Sequence, residues 1–402
     1  MNMWKRTILI LLLWLPLQTA AQDGIFADFE TSLGDFTCKL DPAAAPATVA
    51  SFIGLATGDR PWLDEATGVV RNDPFYDGIT FHRTIANNII QAGSPNGQGT
   101  DGAGFIIPDE FFTLRTHDVP YVLSMANTGA ARFYSGGSQF FITLIPRPGL
   151  DFLHSVFGEV TAGTNVVHAI GDVAVDSNDR PLTPVTINKV TIRRVGTAAE
   201  AFDIDAQGLP DVTALGHRID LNTNNIPQIH FDRAANREIQ AFCSVDQFLT
   251  WSNYLSEIFF DFPPTEPLVL HVDHSNHTSA VYRGGATQYP GDSIHAPATL
   301  SNRTITATLS SGAVIVVAVD GTGEGGTVTI NGTGPGGGPP ADIIDLFDLP
   351  CRYHRWLGIN SAGFVGLDIR LHYTSPSGGF FNGRFLTSPP FGGVGTFTIS
   401  PP

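Results

Sequence analysis

From Ile25 to Val195, short runs of alternating apolar and polar residues are broken by clusters of Gly, Pro, Asn and Asp, the pattern of strands and turns. Two stretches carry helical spacing instead. After Pro46, Val49, Phe52, Ile53 and Ala56 recur at i, i+3, i+4 and i+7, and Gly58 supplies a stop. Asn165 to Ile170, closed by Gly171, is the second. Val185 to Val195 predicts a last strand for this unit, and Gly196 to Gly208 a boundary. From residue 209 to about 300, His, Asn and aromatic residues mix without a clear period. Beyond that the alternation returns. Ile305, Ala307 and Leu309 between threonines, a turn at Ser310-Ser311-Gly312 and the apolar run Ala313 to Val319 predict a hairpin. Leu367, Ile369, Leu371 and Tyr373 predict another strand, Thr396 to Ile399 a terminal one, and Gly332 to Pro340 a Gly/Pro loop or linker.

The N-terminus has a different character. Lys5 and Arg6 precede an almost wholly apolar run, Thr7 to Leu17, and Thr19-Ala20-Ala21 supplies small residues at a cleavage point. This predicts a secretory signal over residues 1–21 and a mature chain from near Gln22. No later run approaches the ~20 apolar residues of a membrane-spanning helix. The expectation is an exported protein, periplasmic or secreted, with no membrane span and no lipid anchor on a cysteine.

Composition sharpens the class. The 43 glycines and 28 prolines have no three-residue period, which points to a mainly β protein with many turns. Lys and Arg number 22 against 38 acidic residues, a formal charge of −16, which argues against nucleic acid as a partner. Three cysteines, Cys38, Cys243 and Cys351, exclude a disulfide-dense scaffold. In an oxidising compartment Cys243 and Cys351 form a disulfide or stay as buried thiols, and the sequence leaves both open.

Four clusters place polar side chains inside this apolar, Gly-rich sequence: "FYDGITFHR" around Arg83, "SMAN" ending at Asn127, "GSQFFIT" around Gln139 and Phe141, and "LDFLHSVFGEV" around His154. In that order and spacing they make residues 24–196 resemble the cyclophilin family of peptidyl-prolyl cis-trans isomerases. The resemblance implies an eight-stranded antiparallel barrel capped by two helices, with the active face on its outside. A second β-rich, sandwich-like domain is expected over residues 209–402, after a linker at 197–208, so that residues 22–196 form the isomerase domain.

The resemblance also implies roles, position by position. Arg83 matches the catalytic arginine, Gln91 the glutamine that holds the substrate backbone and orients that arginine, and Asn127 with Ala126 the segment that pins the peptide by main-chain hydrogen bonds. Ile89, Phe141 and Leu150 would line the pocket for the proline ring, His154 its rim, and Gln139 its floor. Asn88 stands where the family commonly has Phe, so one wall of the pocket is polar. Gly149 stands where some members carry a drug-binding Trp, and the loop between Asn127 and Ser138 is longer than usual, with Arg132, Phe133 and Tyr134 in the extra length. No cofactor and no metal are implied. The partners are Pro-containing unfolded or partly folded polypeptides, and a monomer is expected.

Other patterns carry less. Gly97 to Gly102 fits the dinucleotide pattern G-x-G-x-x-G, but the extended Phe105 to Pro108 follows where a helix is required. His271, His274 and His277 have no recognised metal spacing, and Cys351 to His354 lacks the second cysteine of a haem motif. Asn276, Asn302 and Asn331 fit the short glycosylation pattern. His82 reads as structural, and His154 equally as structural or substrate-contacting. Two functions from different classes follow: an isomerase assisting the folding of exported proteins, or a catalytically weak module that binds Pro-containing segments while the C-terminal β domain serves adhesion or ligand binding.

Overall fold

The computed structural model describes residues 23–400 apart from 111–114, 128–135, 152, 232–233, 235–236, 247–248, 260–267, 272–279, 291–299, 310–311, 323–324, 333–340, 351–354, 362–366, 376 and 386–390. The signal segment, the Arg132-Phe133-Tyr134 loop, Cys351, Asn276, His274 and His277 lie outside the described residues, as does most of the Gly332 to Pro340 linker.

The first half is one eight-stranded antiparallel sheet. Its strands are β1 (Gly24–Thr31), β2 (Gly34–Leu40), β5 (Arg83–Ile85), β6 (Ile89–Ala92), β7 (Val122–Met125), β8 (Phe140–Thr143), β9 (Val156–Ala162) and β10 (Ile187–Val195). They are ordered β10-β1-β2-β9-β7-β8-β6-β5. The two outer strands are joined just outside their ends: Gly78 N donates to Ile187 O, Ile187 N to Ile79 O and Phe81 N to Val185 O, at 2.8–2.9 Å. That seam brings the two outer ends of the sheet together into a barrel-like curve, and it satisfies backbone groups that a free edge would leave open there. Between β2 and β5 lie α1 (Pro46–Thr57) and a small hairpin, β3 (Trp62–Asp64) with β4 (Val69–Arg71).

Helix α1 begins with Pro46 in its first turn and ends at Gly58, φ 76°, a left-handed conformation that disfavours any residue with a Cβ. Both features match the sequence expectation. The second helix, α2 (Thr164–Gly171), runs one residue further at each end than the apolar spacing predicted. Phe52 of α1 sits 5.8 Å edge-on to Phe140 of β8 and 4.9 Å from Tyr76, in a core that also holds Phe29, Phe36 and Phe157.

Residues 197–208, expected as a linker, pack against the barrel. They form α3 (Thr197–Glu200) and a 3-10 turn, Asp205–Gln207. Ala199 is buried, Phe202 and Ile204 pack on the barrel core, and Arg194 Nη1 donates to Phe202 O at 2.5 Å. Apolar side chains in a Gly-flanked stretch find the core rather than the solvent. The same core continues through Leu209, Val212 and Phe242.

Beyond it come β11 (Asp211–Ala214), β12 (His217–Leu221), β13 (Pro227–Phe231), β14 (Arg237–Ser244), β15 (Ser252–Phe259), β16 (Leu268–His271) and β17 (Val281–Gln288). They make a four-stranded sheet, β11-β17-β14-β15, and a three-stranded one, β12-β13-β16. The last eight strands are β18 (Thr304–Leu309), β19 (Val314–Val319), β20 (Gly326–Ile330), β21 (Ala341–Pro350), β22 (Arg355–Ser361), β23 (Leu367–Ser375), β24 (Gly378–Phe385) and β25 (Phe391–Ile399). They close into a meandering barrel, where a single sandwich-like domain was expected. The predicted hairpin is β18 and β19, paired Ile305 to Val317 and Ala307 to Ile315. Closure follows from the β18–β25 pairing, which Gly395 permits: a Cβ there would stand 1.9 Å from Thr308 O. Every second residue of β18 and β19 turns inward, where it packs with Leu371, Phe381 and Phe397.

Cys38 and Cys243 are buried and unbridged. Burial pushes the Cys38 thiol far above its ordinary value, so it is inert at neutral pH. No helix among the described residues is long and apolar enough to cross a membrane.

Candidate active site

Four neighbouring strands of the first barrel set a row of side chains on its outer surface. Arg83 of β5 lies opposite Gln91 of β6, Gln91 opposite Phe141 of β8, and Phe141 opposite Ser124 of β7. Directly opposed residues project from the same face of a sheet, so strand register alone assembles the row. The alternate residues Ile90, Phe140, Ile142, Leu123 and Met125 face the core.

Arg83 is exposed. Its Nε lies 3.6 Å from Asp179 Oδ2, with the two side chains 44% and 43% accessible. A pair this open to solvent contributes at most about 1 kcal/mol, so a ligand can displace it. Asp179 is held at φ 62° in a turn closed by Asp176, whose Oδ1 accepts from Asn178 N and Arg180 N, and Thr84 N of β5 donates to Asp179 O at 2.8 Å. The turn is thus tied to the strand that carries the arginine.

Gln91 donates from Nε2 to Gln139 Oε1 at 3.0 Å, and Gln139 Nε2 donates to Asp101 O at 2.9 Å. Gln91 is the cross-strand neighbour of Arg83; its Nε2 is engaged by Gln139, while the guanidinium faces Asp179. Gln139 is a bridge between Gln91 and the 94–102 loop. That loop is closed by Ser94 Oγ on the Asp101 carboxylate, with positive φ at Gly97 and Gly99, and no helix follows it. The dinucleotide pattern is therefore a turn.

Phe141 is buried, and two imidazoles clamp it. His154 meets it edge-on at 5.1 Å and 88°, while His117 stacks at 5.9 Å and 13°. His154 Nδ1 donates to Met125 O at 3.0 Å, and since a carbonyl only accepts, the neutral ring keeps Nε2 as an acceptor. His117 Nδ1 lies 3.0 Å from Asp151 Oδ1 and its Nε2 3.1 Å from Ser124 Oγ. The residues around the sequence motifs did not single out His117, Asp151 or Asp179. Asp151 had a signal, its place in "LDFLHS"; His117 and Asp179 sit in turns without any pattern.

Burial lowers the His154 pKa to about 4, with His117 adding to the effect and the Met125 carbonyl opposing it. Burial also lowers His117, against the pull of Asp151. Both rings are neutral at neutral pH. Affinity for a Pro-containing peptide with no charged side chain is therefore expected to show no break at the ordinary histidine value and to fall as pH approaches the low value of His154. A titration of peptide binding against pH checks this, and a break near the ordinary histidine value would contradict it.

The remaining candidates surround this row. Ile89 is half-buried at the start of β6. Asn88 lies in a tight turn in which Asn87 takes φ 53°, Asn88 N donates to Ile85 O and Asn88 O accepts from Leu144 N. Its side chain is partly exposed, which a polar residue tolerates. Leu150 ends the 3-10 turn Pro148–Leu150 beside exposed Gly149, and is half-buried. Asn127 donates from Nδ2 to Leu153 O at 2.7 Å and Ala126 N donates to Gln139 O at 2.9 Å, which fixes the end of β7 against the turn bearing His154 and the strand bearing Phe141. His82 is buried, as its structural reading requires, and burial lowers its pKa to about 4.

The site thus joins an exposed guanidinium, an apolar floor with neutral rims and a run of main-chain groups, and the Ser124 hydroxyl that meets His117 is fully buried beneath it. Comparison with known proteins agrees with this chemistry. A profile of the family described as cyclophilin type peptidyl-prolyl cis-trans isomerase/CLD matches residues 26–192. The chain is 42% identical over 179 residues to the peptidyl-prolyl cis-trans isomerase A of Mycobacterium tuberculosis (strain ATCC 25618 / H37Rv), covering 44% of this chain and 94% of that protein. It is 42% identical over 173 residues to the peptidyl-prolyl cis-trans isomerase B of Streptomyces anulatus, covering 42% of this chain and 97% of that protein. A human protein named peptidylprolyl isomerase domain and WD repeat-containing protein 1 is 40% identical over 171 residues, which make up 24% of its length. The chain belongs to the cyclophilin-type peptidyl-prolyl cis-trans isomerase family and is an isomerase of that type.

Proposed function

We propose that this isomerase is exported and assists the folding of exported proteins, with Arg83 as the group that stabilises the twisted X-Pro bond. The X-Pro bond rotates slowly because the nitrogen lone pair is delocalised into the carbonyl, a barrier of ~18–20 kcal/mol. Halfway through the rotation the lone pair is localised on the prolyl nitrogen and accepts a hydrogen bond there. A guanidinium aimed at that nitrogen binds the twisted state better than either planar one, which is what catalysis requires. The row Arg83, Gln91, Phe141 carries this reading: it sets the donor one strand away from Gln91 and two from the apolar floor on which a proline ring would rest. Main-chain groups at Ala126 and Asn127 would hold the peptide while the ring turns.

In the same reading residues 1–21 direct export, residues 22–196 fold as the isomerase unit and the mature protein is a monomer. N-terminal sequencing of the exported protein tests the first point, with Gln22 as the expected start. Refolding tests the activity in its proposed role. A disulfide-free protein whose slow phase is set by X-Pro isomerisation should refold faster with catalytic amounts of the full mature chain. An unchanged slow phase, with the protein nevertheless bound to the unfolded chain, would favour the binding-module reading.

One observation favours that second reading. Asn88 supplies a polar, partly exposed side chain at the edge of the proline pocket where the family commonly has an aromatic one. A full aromatic contact is worth about 1.5–3 kcal/mol when buried. Asn88→Phe is therefore expected to raise kcat/KM on a short X-Pro peptide about tenfold, mainly through KM. A variant whose KM does not fall would remove the polar wall as a cause of weak binding.

A further inference from the structure

The isomerase site does not end at the barrel. Next to Gln91, Ala126, Asn127 and Gln139 a cavity of about 400 Å³ opens, and its far side is made by Glu238 and Gln240. Both belong to β14, in the four-stranded sheet that follows the barrel, so two parts of the chain distant in sequence enclose one space.

The wall is built in. Gln240 Nε2 donates to Gly104 O at 3.3 Å, Thr287 Oγ1 donates to the same oxygen at 3.4 Å, and the Tyr289 hydroxyl lies 3.3 Å from Ile106 N and donates to Glu238 Oε2 at 3.0 Å. Behind these bonds, Phe242 is buried in the barrel's own core and packs over Gly68 of the β3–β4 hairpin, where a Cβ would stand 2.6 Å from its ring. Leu63 of β3 packs on Gly285 of β17, where a Cβ would stand 3.0 Å from its side chain. A joint of hydrogen bonds and continuous apolar packing holds β14 in register with the groove.

We propose that β14 is part of the isomerase's substrate groove, with Glu238 and Gln240 acting as specificity-determining residues that make the cavity beside Gln91 and Asn127 a subsite for a basic side chain of the polypeptide. The proposal rests on the isomerase reading of the neighbouring row. The chemistry of the lining selects the ligand class. Glu65 and Asp101 from the barrel and Glu238 from β14 line the space, and none of the described residues that line it is a lysine or arginine. The space is large enough for an extended lysine or arginine side chain. Gln240 and the 99–102 loop complete the lining. Burial, with the nearby charges of Asp101, Glu238 and Asp64, raises the Glu65 pKa to about 7 against the Gly102 N–H that it accepts. A cation entering the cavity would offset that field and draw the proton off.

The test uses the full mature chain and a set of short peptides with one X-Pro bond, in which Lys, Glu or Ala is placed in turn at each of about three positions on either side of the proline. At one position the wild type is expected to prefer Lys to Glu about tenfold in kcat/KM. Glu238→Gln should reduce that ratio to about two- or threefold, and Gln240→Lys should invert it. Because each ratio is read within one preparation, a partial loss of folded protein cancels. A wild type that turns over the Ala peptides but shows the same rate for Lys and Glu at every position overturns the proposal and leaves the isomerase intact. A wild type inactive on the Ala peptides instead contradicts the isomerase reading on which it rests. A preference that survives unchanged in both variants places the basic-residue subsite elsewhere and also overturns it.

Discussion

Arg83→Ala is expected to lower kcat/KM on an X-Pro peptide by about 10²–10³-fold, the usual effect of deleting a preorganised donor aimed at developing charge. The loss should fall on kcat. In the planar ground states the prolyl nitrogen has no lone pair to offer, so the guanidinium contributes little to binding the peptide and much to binding the twisted form. Arg83→Lys should recover only part of the rate. A lysine ammonium is a compact point charge on a flexible stem, whereas guanidinium presents a rigid fork of donors. The exposed pairing with Asp179 offers a control: Asp179→Asn releases a partner that contributes at most about 1 kcal/mol, so kcat should change only a few-fold. Steady-state kinetics at several peptide concentrations separate these outcomes, and a variant losing KM rather than kcat would assign Arg83 to binding alone.

Glu110→Ala is expected to destabilise the first barrel by about 2–4 kcal/mol, read as a lower denaturant midpoint with an unchanged slope. Helix α1 has no side-chain cap at Ala45 and no acidic residue in its first turn. A carboxylate far along the chain takes that place: Glu110 Oε1 accepts from Ala47 N at 2.9 Å, and Oε2 accepts from Thr48 N at 2.8 Å and Thr48 Oγ1 at 2.7 Å. All of this is buried, so alanine leaves three donors unsatisfied at the positive end of the helix. Glu110→Gln keeps one acceptor and should lose about half as much.

The pH dependence has a definite sign. Burial raises the Glu110 pKa to about 7 from its ordinary 4.5, against the three donors, so the folded state holds the proton more tightly than the unfolded one. Between those values folding takes up a proton, and wild-type stability relative to Glu110→Gln should fall as pH rises through that window and level off above it. A difference that grows with pH instead would mean that the three donors outweigh burial. Function follows stability here, because Phe52 of α1 packs on Phe140, the neighbour of Phe141.

The β character of the first unit was legible because short β-type runs broken by turn clusters are a local signal, and the four ordered motifs around Arg83, Asn127, Phe141 and His154 pointed to the family. Helix α1 was legible from its apolar spacing, Pro46 and Gly58. What carried no local signal was each contact between distant segments. Glu110 lies over sixty residues from the helix it caps, and Asp179 reaches Arg83 through a turn with no pattern of its own. Phe202 and Ile204 dock on the core a stretch whose sequence marked only a boundary. Barrel closure from β18 to β25 depends on Gly395 admitting a close backbone, which alternation along one strand cannot distinguish from a sandwich. Glu238 and Gln240 belong to a region without a period, and only the docked sheet brings them to the groove.

The most direct test of the account is cis-trans exchange in a short X-Pro peptide, followed by NMR with the full mature protein and with Arg83→Ala, the dissociation constant being read from the same titration. The account predicts fast exchange with the wild type, and in the variant binding within about threefold together with exchange slowed about 10²–10³-fold. A variant that binds equally well and still exchanges the peptide as fast as the wild type would contradict it.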